Sequence, residues 1–537
     1  MTTVARHFVR LGARTAHCRI AGSGPALLLL HQSPQNSRMW LDLIERYAPR
    51  LTVIAPDTPG FGDSDPLADA QPGIADLAAA TLELADALGL ERFAVFGMHT
   101  GGLIGMQLAW AAPRRVAALI VDGFALFDAE ERAAMDARYL PPFVPSWDGA
   151  HLRWLWCRMR EQLFYFPWYD GRAGSALQLD PPTARSTHAA AMDILEVGDG
   201  YRQGYGAALR YGERHRVAEL KVPSWLLYRI EDVLAAHRER LPLLPPHVAT
   251  ELISGGLPAL HARMDSILEQ TLTGEAGAHL LLAQPADNDF RRRAVSTAIG
   301  TLAIWHAPGK DTAVLRLHAP GSKPPRPDPS AARDGAHLLL LDLPGHGGSG
   351  AIVGAHDAGA IAAAIVQAID QLVPGLPLRI QAEGAAAAYA LAIAEGAQGR
   401  RCSVHLRAPW LLTAAEIDCL LDGLPDPAIV RSGAHLLDAF QWERERHLLW
   451  PWLPPSASAR RLGDAPDPRA VHDNAVELLR LGPQLRCVFA GALDPALAQR
   501  LLASGLSLTV SADPADDYQG RVAALAACLP LPPRNTA

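Results

Sequence analysis

Lysine is almost missing from this chain of 537 residues: Lys221, Lys310 and Lys323 are the whole set, although Lys and Arg together number 49. Against 56 Asp and Glu the net charge is −7. The clustered cations that neutralise a phosphate backbone are absent, so no nucleic-acid partner is expected. Cysteine is sparse too. Cys18, Cys157, Cys402, Cys419, Cys487 and Cys528 form no C-x-x-C pair, which excludes a disulfide-stapled scaffold and points to reduced thiols in a cytosol. No apolar run reaches the roughly 18–20 residues that span a bilayer, and the first ten residues lack the apolar stretch of a signal peptide. The expectation is a cytoplasmic protein with no membrane partner. No H-x-x-x-H pair or convergent donor set marks a metal. The glycine strings Gly60–Gly62 and Gly345–Gly350 lack the G-x-G-x-x-G helix entry of a dinucleotide site, so neither metal nor cofactor is expected.

Apolar residues, in contrast, are plentiful. At 49% hydrophobic and 20% charged the chain has the composition of a folded globule. It is too long for one core, which stops growing at roughly 250–300 residues.

Self-similarity explains the length. Gly149-Ala150-His151-Leu152 recurs as Gly433-Ala434-His435-Leu436, and Arg160-Glu161 and Pro167-Trp168 recur as Arg444-Glu445 and Pro451-Trp452. The register holds without a gap to Arg185, His188 and Gly198 against Arg469, His472 and Gly482. Upstream, Asp57-Thr-Pro-Gly-Phe-Gly-Asp-Ser64 is echoed by Asp342-Leu-Pro-Gly-His-Gly-Gly-Ser349, and Leu27–His31 by Val314–His318. Two tandem domains follow, 1–275 and 276–537, with a proline-rich loop from Pro320 to Asp334 inside the second. Within the first, short apolar strands (Ala26–Leu30, Thr52–Ala55, Phe93–Phe96, Ala117–Val121) alternate with amphipathic helices (Met39–Tyr47, Ile74–Leu88, Leu103–Ala111). That alternation predicts an α/β domain with a mostly parallel, doubly wound sheet, whose ligands bind at the carboxyl ends of its strands.

The first half resembles the α/β-hydrolase fold. His31-Gln32-Ser33-Pro34 after the first strong strand looks like the oxyanion loop, the Asp57–Ser64 segment is similar to the turn after the next strand, and Gly97-Met98-His99-Thr100-Gly101-Gly102 lies where the nucleophile elbow belongs. Val222-Pro223 opens a later strand read as ending at Asp232. The resemblance covers most of residues 5–272 and, more weakly, 295–530. It implies a helical cap over each pocket, at about 124–215 and 408–482.

The elbow is small-x-nucleophile-x-small because a sharp strand-to-helix turn admits only small flanking residues. Its central residue here is His99, so an acyl-enzyme on serine or cysteine has no carrier. The place of the family's histidine, after Ile253-Ser254-Gly255-Gly256, is also vacant; His261 follows in the final helix. In the second half the elbow aligns with Ala382-Glu383-Gly384-Ala385-Ala386, and Val510-Ser511-Ala512-Asp513 offers no histidine. That half is expected to be catalytically silent, packing with the first as an internal pseudo-dimer, with further homo-oligomerisation left open.

An imidazole at an elbow can serve as a general base near neutral pH. The catalytic expectation is His99, oriented by Asp122 or Asp232. By resemblance the amides of Ser33 and Thr100, beside Gln32, hold an oxyanion. The cap is rich in aromatics, among them Trp147, Trp154, Trp156 and Trp168, read mainly as packing. Arg160, Glu161, Arg185, His151 and His188 recur in the silent copy and are read as cap-folding residues. Arg158 aligns instead with Trp442, which makes it the candidate for a substrate anion. The Tyr- and Arg-rich segment Tyr201–Leu220 reads as absent from the second copy. The expected function is a cofactor-free hydrolase or lyase acting on a small carbonyl compound, anionic or aromatic; the alternative is a non-catalytic pseudo-hydrolase that binds a ligand or acts as a scaffold.

Overall fold

The computed structural model describes residues 4–282, 290–327, 335–352, 357–450, 459, 461, 464–511 and 517–529. It divides into two compact units, Met1–Val144 with Trp154–Pro285, and Pro145–Arg153 with Ala286–Ala537. Trp452 and Asp513, singled out above, lie outside the described residues, as does part of the proline-rich loop.

The first unit contains β1 (Ala5–Leu11), β2 (Arg14–Ala21), β3 (Ala26–Leu30), α1 (Leu41–Tyr47), β4 (Thr52–Pro56), α2 (Ile74–Ala87), β5 (Phe93–Met98), α3 (Thr100–Ala111) and β6 (Val116–Asp122). The cap helices follow: α4 (Ala129–Arg138), α5 (Ala150–Glu161), α6 (Ala184–Val197) and α7 (Tyr201–Arg210). β7 (Ser224–Arg229), β8 (Val248–Ile253) and α8 (Gly256–Leu272) close the unit. The eight-stranded sheet has the order β1-β2-β4-β3-β5-β6-β7-β8; β1, β2 and β4 pair antiparallel and the rest parallel.

Period-two alternation sorts the strand residues onto two cores. Leu28, Leu30, Val95, Leu119 and Val121 pack with α2 and α3, whereas Leu27, Leu29, Ala94, Phe96 and Ile120 pack with α1 and α8. A sheet covered on both faces leaves its strand ends as the place for polar chemistry.

The second unit repeats the plan with β9 (Arg291–Thr297), β10 (Gly300–Ala307), β11 (Ala313–Leu317), β12 (His337–Leu341), α9 (Ala358–Leu372), β13 (Leu378–Glu383), α10 (Ala386–Gly396) and β14 (Cys402–Arg407). Helices α11 (Ala414–Asp422), α12 (Ala434–Leu448), α13 (Pro468–Leu481), α14 (Leu485–Ala492) and α15 (Leu497–Ala503) precede β15 (Ser507–Ser511) and α16 (Arg521–Cys528). Its strand order, β9-β10-β12-β11-β13-β14-β15, matches the first sheet strand for strand, and no counterpart of β8 occurs among the described residues.

Three expectations change. The strand read as reaching Asp232 ends at Arg229, where pairing with β8 stops; Asp232 sits in the following turn, its amide donating to the Arg229 carbonyl at 3.0 Å. Val510 and Ser511 lie on β15, the counterpart of β7, so they match the strand that precedes Asp232 and not the strand that precedes the place of the family's histidine. Helix α7 does have a partner in the second copy: α14 follows the turn Gly482–Gln484 as α7 follows Gly198–Gly200. Its apolar sequence hid the correspondence, because only the backbone path is shared. The second helical insertion accordingly extends beyond residue 482.

Among the described residues no helix is long and apolar enough to cross a membrane.

Candidate active site

The turn after β4 is built alike in both copies. Asp57 accepts from the amides of Ser37 (2.7 Å) and Asp63 (2.8 Å), and Nε2 of buried His31 accepts from Thr58 N at 2.8 Å. In the second unit Asp342 accepts from Gly348 N (2.8 Å), and His318 Nε2 from Leu343 N (3.0 Å). His31 is therefore a fastener between the oxyanion loop and this turn. His17, Asp57 and Asp63 are a group of potential metal donors. The Arg6 guanidinium already donates to His17 Nε2 at 3.1 Å and Asp63 at 2.6 Å, so a cation occupies the place an ion would need.

At the next strand end the chain reverses through His99. Its φ of 46° and ψ of −108° are sparsely populated for a residue with a Cβ. The flanking glycines permit the reversal by close approach: a Cβ on Gly97 would meet the Gly101 carbonyl, and one on Gly101 the Leu30 carbonyl. His99 N donates to Asp122 O at 3.0 Å, and Leu103 N to His99 O at 3.1 Å. The side chain is thereby held out at the carboxyl end of the sheet.

His99 Nε2 lies 2.9 Å from Asp232 Oδ2. Asp232 is fixed in turn by Leu234 N, 2.8 Å from its Oδ1, and by Arg229 Nη2, 3.0 Å from its Oδ2. Arg229 Nε spends its proton on Asp122, at 3.0 and 3.2 Å. Of the two candidate aspartates, Asp232 is thus the one bonded to the imidazole, and Asp122 acts through its field and its backbone carbonyl. Burial works to lower the His99 pKa, but the Asp232 carboxylate and hydrogen bond, with Asp122 behind them, outweigh it and hold His99 above its usual 6.5. Burial works to raise Asp232, and the His99 imidazolium reverses this, bringing it to about 2. Asp122 is raised by burial, with Arg229 opposing. Both shifts favour the ionised pair, an imidazolium beside a carboxylate. Among the described residues no protein group bonds Nδ1, and the His99 side chain is 25% exposed.

His99, Gln32, Ser33 and Thr100 line one cavity of about 400 Å³, whose apolar wall includes Leu103, Phe127, Tyr139, Met159, Leu163 and Phe166. Thr100 opens α3, where the first-turn N–H groups have no intrahelical acceptor. None of the four cap tryptophans lines this cavity, whereas Phe166 of the same segment does: Trp156 is buried elsewhere, Trp168 donates to Tyr139 O at 3.0 Å, and Trp147 stands exposed.

Arg158 is not brought to this wall. It is buried, with its guanidinium 5.4 Å from the Tyr139 ring centre and 5.3 Å from that of Trp168, and it donates to Gln162 Oε1 at 2.8 Å. Gln162, one helical turn on, lines the cavity in its place.

The cavity also contains a group that the sequence reading passed over. Asp193, on α6, lines it beside Gln35. Burial raises its carboxyl to about 7, with Arg38 opposing and Glu196 adding to the rise. The available signal was the repeat itself, since the constant offset puts Glu477 at the same position.

The second elbow keeps the backbone but carries no side chain at its centre. Gly384 has φ 57°, and its amide donates to Arg407 O at 3.1 Å, as His99 does to Asp122. Arg407 stands where Asp122 stood. Trp410 Nε1 is 3.2 Å from the point a Cβ on Gly384 would occupy, and Trp450 packs on Trp410 with ring centres 4.9 Å apart. Indoles fill the space a side chain at the elbow would enter.

A family model for the alpha/beta hydrolase fold matches residues 25–152. The chain is 36% identical over 251 residues to the protein named Putative carbamate hydrolase RutD of Azorhizobium caulinodans, covering 46% of this chain and 84% of that protein. It is 36% identical over 136 residues to a fluoroacetate dehalogenase of Burkholderia sp., covering 24% of this chain and 44% of the relative. To an uncharacterized protein of Mycobacterium tuberculosis it is 43% identical over 104 residues, 19% of this chain and 30% of the other. These last two matches span less than half of the relatives' own lengths. With the elbow, the oxyanion loop and the strand order on one side and the RutD match on the other, the chain belongs to the α/β-hydrolase fold family.

Proposed function

We propose that the first unit is a hydrolase of small carbonyl compounds in which the His99–Asp232 pair acts as general base on water. The observation that carries this is the 2.9 Å bond between His99 Nε2 and Asp232 in the wall of a cavity that cap residues also line. In the neutral tautomer Nε2–H donates to Asp232, and Nδ1 presents a lone pair to the cavity. Nδ1 takes a proton from water as the water oxygen bonds the carbonyl carbon. The carbonyl electron pair moves to oxygen, where the amides of Ser33 and Thr100 stabilise it. Collapse then breaks the bond to the leaving atom, which keeps the electron pair and receives a proton equivalent to the one that water gave to Nδ1, so that His99 returns to its neutral form. The step uses side chains and backbone amides alone, and it forms no acyl-enzyme. The names of the relatives, a carbamate hydrolase and a dehalogenase, support water as the second reactant. The second unit, with its elbow filled by tryptophan, is proposed to serve as a scaffold.

His99→Gln tests the reading, because glutamine retains polarity but accepts no proton at neutral pH. The expected outcome is a fall in kcat/KM of about 10²-fold or more on an aryl ester such as 4-nitrophenyl propanoate, the usual worth of general-base catalysis. Wild-type rates in the variant, with the fold checked by circular dichroism, overturn it.

A further inference from the structure

Asp193 takes no part in the step above, yet its surroundings set it apart from an ordinary cap residue. Its neighbours on α6, Ala191, Met192, Ile194 and Leu195, are all buried, so the carboxyl rides on an inward-facing, apolar stretch. Its contacts are neutral amides: Asn36 Nδ2 lies 3.5 Å from Oδ1, and the Gln35 side chain hydrogen-bonds to it. The cation nearest in kind, Arg38, is engaged elsewhere, its Nη2 2.6 Å from Glu196 Oε2. No ion pair to Asp193 occurs among the described residues.

The duplication supplies an internal control. Glu477, the counterpart of Asp193, accepts from Gly347 N at 2.8 Å and lies 3.7 Å from Arg480 Nε. Arg480 corresponds to Glu196 at the same offset. The silent copy neutralises its acid with a cation, whereas the copy with the elbow histidine has a second acid in the cation's place. Such a carboxyl, in an apolar wall beside another carboxylate, keeps its proton to higher pH than a solvated one.

We propose that Asp193 is the general acid of the first unit, protonating the departing oxygen or nitrogen while His99 accepts the proton of water. The inference rests on the hydrolase reading and extends it. As the bond from the carbonyl carbon to the leaving atom breaks, its electron pair goes to that atom; the Asp193 O–H bond breaks and the proton joins it. The proton held on His99 then returns to the Asp193 carboxylate through solvent, so no net proton is gained or lost. Gln35 and Asn36 orient the carboxyl. The substrate class that needs such an acid has a poor leaving group: alkyl esters, carbamates or amides, rather than activated aryl esters.

The test compares wild type, D193N and D193E on propanoate esters of 4-nitrophenol, phenol and ethanol. D193N is expected to lose about 10²-fold or more in kcat/KM on the ethyl ester, at the scale of acid catalysis, and at least tenfold less than that on the 4-nitrophenyl ester. D193E, which restores the residue type of the second copy, is expected to recover part of the ethyl ester activity. Equal losses on all three esters, or none, overturn the proposal. Should D193N fail to fold, the wild-type dependence of log kcat/KM on leaving-group pKa decides: a shallow slope supports proton donation, and one as steep as that for hydroxide overturns it. An H99Q enzyme as fast as wild type, or a wild type that hydrolyses none of the esters, refutes the hydrolase reading instead and takes this inference with it.

Discussion

His99 carries two demands that oppose each other. The carboxylate that orients it also holds its proton, so the resting enzyme is expected to store an ion pair that must lose its proton before it can act as a base. The linkage has a definite sign. His99, raised above 6.5, contributes stability that is fully present below 6.5 and is lost as pH rises through its folded value. Asp232, lowered from 3.8 to about 2, contributes stability present above 3.8 and lost as pH falls toward 2. H99Q should therefore lower the thermal midpoint most near pH 5 and progressively less toward pH 9, as thermal unfolding across that range will report. A constant difference would mean that the pair is not ionic. The two partners differ in how far they could be read from the sequence. Asp232 could be found because the residues after a strand at that place point toward an elbow; Asp193 could not, because an acid on a cap helix is ordinarily solvated and only its burial changes its meaning. Arg158 was misjudged for a related reason: the comparison with Trp442 showed that it differs between copies, but not which way the side chain turns.

At the scale of elements, the elbow depends on α3 lying against β3 and β5 more closely than any side chain allows. Gly101→Ala would drive a methyl into the Leu30 carbonyl, and a shift of α3 of that kind is expected to cost about 2–3 kcal/mol and most of the hydrolytic rate. Gly384→Ala, at φ 57° in the second elbow, should cost about 1–3 kcal/mol through backbone strain and leave ester hydrolysis as it was. Denaturant unfolding with kcat/KM on the same samples separates the two; a G384A enzyme that loses activity would give the second elbow a role it is not assigned here. The four central strands β3 to β6 were legible to within a residue or two, since a fully apolar run of about five between turn signals leaves little choice, whereas the strand before Asp232 was read three residues too long. Helix α3 was not placed correctly at its start. Gly101 and Gly102 read as turn residues, whereas they form the first helical turn, because the constraint that selects glycine there is a neighbouring strand far away in sequence.

At the scale of the whole molecule, two copies of one fold have diverged in a readable direction. Both retain the histidine, aspartate and serine that tie the turn after β4, namely His31, Asp57 and Ser64 against His318, Asp342 and Ser349. One retains a strained elbow with an ionisable side chain, and the other relaxes it to glycine under tryptophan. The repeat was visible because the cap signatures align without a gap, and the residue types at the second elbow are what lead to the proposal that this copy is a scaffold. The partnership of α7 with α14 was not visible, since a helix can keep its place after every side chain has changed. The central claim, that the first unit hydrolyses its substrate through neutral His99 paired with Asp232, is tested most directly by the pH dependence of wild-type kcat/KM on 4-nitrophenyl propanoate between pH 5 and 9. The account predicts a rise to higher pH through an apparent pKa above 6.5, the value that Asp232 holds up; a rate that is flat across this range, or that falls as pH rises through it, would contradict the account.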